Sequence, residues 1–108
     1  ESKLLKGLEI GCAGIITATC NVTVQLARRV YDDFFSGKKQ IYNQKLIDVR
    51  NTFEKYNLIS ALHTYKSKED IIYKNLLPPL GLLGTESEID LINDLKKLNF
   101  QINSQLAA

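Results

Sequence analysis

With 108 residues, 44% of them hydrophobic and 24% charged, the chain has the composition of an ordinary globular domain. Its 14 basic and 12 acidic residues are interspersed and sum to +2, so the concentrated basic footprint of a nucleic-acid-binding or anionic-membrane-binding domain is missing. No apolar run has the length of a membrane span, and the first residues carry no signal-peptide pattern.

Residues 1–10 place Leu4, Leu5 and Leu8 at helical spacing, and Gly11 follows as a stop. Next comes Gly11-Cys12-Ala13-Gly14-Ile15-Ile16-Thr17-Ala18-Thr19-Cys20-Asn21, a short apolar run between glycines and small polar residues. It reads as a fully buried parallel strand. A lone strand leaves backbone donors and acceptors unpaired on both edges, so this one is expected to pair with polypeptide outside the sequence.

The stripe Leu26, Ala27, Val30, Tyr31, Phe34, Phe35 predicts an amphipathic helix, with Asn21 or Thr23 as its N-cap and Gly37 closing it. Along that helix Arg28 pairs with Asp32 and Arg29 with Asp33 at i, i+4, as on a solvated face. Residues 39–56 predict a third helix whose seam of Tyr42, Leu46, Val49, Phe53 and Tyr56 packs on another helix. No basic groove accompanies these rings, so they are not a stacking platform. Shorter helices or turns are expected over residues 58–65 and 69–75, after which Pro78 and Pro79 stop regular structure. Thr85 and Glu88 have the spacing of a capping box opening a last helix with Ile89, Ile92, Leu95 and Leu98. From Asn99 the sequence turns polar and is expected to fray.

Cys12 and Cys20 stand at opposite ends of the expected strand. At about 3.3 Å per extended residue they lie beyond disulfide reach. They read as free thiols, buried or half-buried, of a reducing and hence cytoplasmic setting. One histidine and two distant cysteines supply no zinc site.

The run Gly14-Ile15-Ile16-Thr17-Ala18-Thr19-Cys20-Asn21-Val22 resembles the eighth-strand signature of the dihydrodipicolinate synthase and N-acetylneuraminate lyase family. Two later segments match in order and spacing. Leu58-Ile59-Ser60-Ala61-Leu62-His63 lies where the family has an Asn-Pro-Ile-Pro-x-Lys type segment, and Leu77-Pro78-Pro79-Leu80 where it has Arg-x-Pro-Leu. Ser60, His63 and Leu77 depart from the usual residues, which bears on the subfamily and its substrate. The resemblance covers nearly the whole chain, from about Leu4 to Phe100.

It implies an α/β fold: the C-terminal part of a (β/α)8 TIM barrel plus a helical C-terminal extension. Residues 1–36 would hold the seventh helix, the eighth strand and the eighth helix, and residues 37–108 the extension, with the N-terminal strands outside the sequence. The implied function is that of a Schiff-base-forming lyase or aldolase acting on pyruvate or another 2-oxo acid. Such an enzyme is a homo-oligomer, usually a tetramer, with no metal or organic cofactor. Its Schiff-base lysine and proton-shuttling tyrosine fall upstream of Glu1, so no residue here is assigned a catalytic role, and the fragment alone would be inactive.

Ligands of a barrel sit at the carboxyl ends of its strands, which makes Ile16, Ala18 and Thr19 the substrate-binding candidates. The family counterpart of Ile16 lines the pyruvate pocket, although an inward-facing isoleucine there also serves as barrel core. Thr17 alternates to the opposite face and packs under a helix. Thr19 and Asn21 also suit turn and cap positions. His63, with no acidic or nucleophilic partner in its sequence surroundings, reads as structural. The competing functional class is a small autonomous helical module that binds a partner protein through the Tyr42 to Tyr56 seam.

Overall fold

Gly11 ends the first helix as its lack of a side chain allows. In the computed structural model, which describes residues 1–107, α1 spans Leu4–Glu9 and Gly11 takes φ +98°. Leu4 and Leu8 are buried and Leu5 partly so. Residues 12–17 then run without regular structure to α2 (Cys20–Phe35). The chain continues through α3 (Asn43–Glu54), α4 (Leu58–Lys66), a 3-10 turn (Ile71–Lys74) and α5 (Thr85–Lys97).

This corrects the α/β expectation. Among the described residues there is no strand, only an isolated bridge between Gln101 and Ser104, and the chain is an all-helical domain. The last strand of a TIM barrel is therefore not formed. The β-branched run has the composition of a strand, but a ladder needs a second strand, and among the described residues no other segment supplies one. Ile15 and Ile16 face solvent, Ile16 entirely so. Apart from Cys12, whose amide bonds to Gly7 at 2.9 Å, the segment makes no backbone hydrogen bond to the rest of the described chain.

Burial is achieved by helix on helix. Val22, Leu26 and Val30 of α2 join Leu46, Val49 and Phe53 of α3, Ala61 and Leu62 of α4, and Leu91 and Leu95 of α5 in one core. The core unites residues of the 1–36 and 37–108 segments. Three seam residues, Leu46, Val49 and Phe53, are fully buried, while Tyr42 and Tyr56 flank them half-buried. The Phe53 ring stands edge-on to Tyr65 at 5.7 Å.

Local rules placed the helices better than their caps. Asn21 and Thr23 lie inside the first turn of α2, whose N-cap position is Thr19, and Gly37 closes the helix at φ +68°. The capping box of α5 is not made: Thr85 is already helical, Gly84 is the N-cap, and the Glu88 amide bonds to the Gly84 carbonyl at 2.9 Å. The buried stripe of α5 centres on Leu91 and Leu95, at i and i+4, and leaves Ile89 exposed.

The polar end does not fray. Phe100 is buried in the core, and the buried Gln105 accepts a hydrogen bond from the Leu26 amide at 3.1 Å. Tyr65 Oη accepts from the Ile102 amide at 3.2 Å. Among the described residues no helix is long and apolar enough to cross a membrane.

Candidate functional site

The three residues expected to line one pocket are held in three different ways. Ile16 projects into solvent, Ala18 is half-buried at the head of α2, and Thr19 is fully buried.

Thr19 belongs to a polar knot that the sequence did not announce. Its hydroxyl accepts a hydrogen bond from Arg50 Nη1 of α3, and Thr17 Oγ1 stands 3.4 Å from the same nitrogen. Arg50 also pairs with Glu54 at 2.7 Å and approaches Glu1 Oε2 at 3.8 Å. The Glu1 carboxylate, fully buried, accepts from the hydroxyls of Thr17, at 3.1 Å, and Thr23. Cys20 Sγ lies 3.5 Å from its other oxygen.

A buried anion is tolerable when donors surround it, and here hydroxyls and a guanidinium do so. With every member engaged and only Glu54 open to solvent, the knot is built to hold the chain together. Its effect is to tie the irregular segment and the start of α2 to α3. Thr17 thus packs inward, though against a carboxylate and not under an apolar helix face. Burial, reinforced by the Glu1 charge, pushes the Cys20 thiol up to about 11. Cys12 is exposed rather than buried, and neither cysteine is bonded to another.

Ala18 faces a cleft instead. Four residues of α4 at the spacing of one helix face, Ile59, Leu62, His63 and Lys66, form one wall. Ala18 and Asn21 from the head of α2 and Tyr73 from the 3-10 turn form the others, around about 190 Å³. His63 Nδ1 lies 2.8 Å from the Tyr73 carbonyl. A carbonyl only accepts, so Nδ1 carries the proton of the neutral ring and Nε2 is the nitrogen left over. The Lys66 ammonium sits 4.7 Å above the Tyr73 ring and 3.4 Å from the Asn21 carbonyl.

His63 is oriented by a backbone carbonyl, and it also lines the cleft that Ala18 enters. The α4 spacing 59, 62, 63, 66 was the available sequence signal for this wall. Tyr73 had none, because it arrives across a turn. Among the described residues no three His, Cys, Asp or Glu side chains gather as metal ligands would. Compared with known proteins, the chain matches no family model, no curated protein and no solved structure.

Proposed function

We propose that the chain works as part of a larger Schiff-base-forming lyase or aldolase, similar to the dihydrodipicolinate synthase family and acting on pyruvate or another 2-oxo acid. The proposal concerns activity and does not restore the barrel strand, which this fold lacks. The observation that carries it is the Gly14 to Val22 motif, whose β-branched centre is held uncovered and without backbone partners. Water can satisfy that exposed backbone, but the apolar surface of Ile15 and Ile16 left outside the core favours contact with further polypeptide.

In such an enzyme a lysine amine adds to the keto carbon and water leaves, giving an imine that draws off the electrons of the adjacent bond. In this reading the lysine comes from polypeptide other than the described chain, and this chain contributes wall. Ala18, at the carboxyl end of the motif, stands at a cleft suited to that role. Homo-oligomeric assembly, a cytoplasmic setting for the two free thiols and independence from metal or organic cofactors belong to the same reading.

The alternative, a helical module docking through Tyr42 to Tyr56, is favoured by the continuous helical core but disfavoured by where its seam lies. Leu46, Val49 and Phe53 are spent inside the molecule. Mass spectrometry of the native protein after borohydride reduction with pyruvate separates the two. A protein larger than this chain carrying one reduced pyruvate adduct on a lysine is the expected result. A native protein of this chain's own mass with no adduct would sink the lyase.

A further inference from the structure

We propose that the cleft between the head of α2, α4 and the 3-10 turn binds a short monocarboxylate of three or four carbons, with Lys66 meeting its charge. The inference concerns this cleft alone and stands whether or not the lyase reading does.

Lys66 is the cation at the cleft, and no carboxylate of the described residues lies within 4.0 Å of its amine. The acidic residues that follow it are engaged elsewhere: Glu69 accepts from Asn103 at 3.2 Å, and Asp70 from the Ile72 amide at 3.0 Å. Among the described residues its one hydrogen-bond partner is the Asn21 carbonyl, at a long 3.4 Å, and it sits over the Tyr73 ring. An ammonium positioned but not neutralised is a receptor for a carboxylate.

Lining and size narrow the ligand. Ile59 and Leu62 on the same α4 wall as the amine, with Ala18 from the head of α2, give the cleft an apolar lining. A volume of about 190 Å³ compares with the roughly 150 Å³ that accommodates benzene in a protein interior. That is room for about six non-hydrogen atoms, a carboxylate with a short apolar tail. His63, fixed through Nδ1, leaves Nε2 as an acceptor for a hydroxyl on that tail. The helix end itself contributes little, since the first-turn amides of Asn21, Val22 and Thr23 already bond to the carbonyls of Ala18 and Thr19.

The test is titration of the 108-residue chain with sodium butyrate, followed by amide and histidine-ring NMR shifts. Saturable shifts at Ala18, Asn21, His63 and Lys66 are expected, weakened about tenfold in Lys66→Gln, as loss of a charge-assisted hydrogen bond predicts. Butyramide, the neutral isostere, probes the same point without a substitution and is expected to bind about tenfold more weakly. Equal binding of butyrate and butyramide would reduce the cleft to an apolar hollow and overturn the proposal. So would unsaturable shifts, or shifts lying away from these residues.

Discussion

At Arg50 one guanidinium serves two carboxylates, Glu1 and Glu54, and reaches the hydroxyls of Thr17 and Thr19. Only the Glu54 side is open to solvent. Arg50→Ala would leave the buried Glu1 carboxylate without its cation, so its cost is that of stranding a charge and not of losing a surface pair. We expect a loss of about 2 kcal/mol or more in urea unfolding, with Arg50→Lys recovering part of it.

Cys20 carries a half-buried thiol. Because burial raises its thiol to about 11 from 9.0, the unfolded chain sheds this proton first. Between those values the unfolded state holds fewer protons, and stability falls as pH rises. Tyr56 and Tyr65, also raised by burial, act in the same sense, and Lys45, lowered by burial, in the opposite one. The comparison that isolates Cys20 is therefore wild type against Cys20→Ser, whose unfolding midpoint should decline less steeply over that window. Iodoacetamide at neutral pH should modify the exposed Cys12 at least tenfold faster than Cys20, since the thiolate is the reacting form.

Helices were legible wherever a stripe of apolar residues met a stop. The α2 stripe ended at Gly37, where φ is +68°, and the α3 seam was read residue by residue. Gly37→Ala should cost about 1 kcal/mol by thermal unfolding; open space around the position rules out a steric clash, so the whole cost is backbone. Gly37→Asn should lose less, because asparagine tolerates this region better.

The irregular stretch marks where reading by local pattern stopped working. Ile15 and Ile16 satisfy strand propensity, but propensity describes a fit to neighbouring strands, and neighbours are not written into the run itself. The same holds for the polar knot. Glu1 and Arg50 lie far apart in sequence, and only the packing of α1, α2 and α3 makes them partners. Of the expected site residues, Ala18 lines the α4 cleft. Its other walls come from α4, at a spacing that was visible, and from Tyr73, whose approach no periodicity encodes.

Much apolar surface stays outside the core. A closed core runs from Leu4 to Phe100, yet Ile10, Ile16, Val24, Phe35, Ile71, Ile72 and Leu77 all remain exposed. Such a surface favours association. Ile16→Ser should raise solubility in sedimentation measurements while changing unfolding free energy by less than about 0.5 kcal/mol, the range of surface substitutions.

The Lys45 amine donates to the carbonyls of both Asn99 and Ala107. One side chain thereby closes residues 99–107 into a ring, with Gln105 pinned to α2 inside it. The ends of such a buckle cannot come loose independently, so this segment should open to solvent as one unit. In native-state hydrogen exchange, Lys45→Ala should accelerate the amides of Phe100, Ile102 and Ser104 together and by a common factor, and leave those of the α3 and α4 core unchanged.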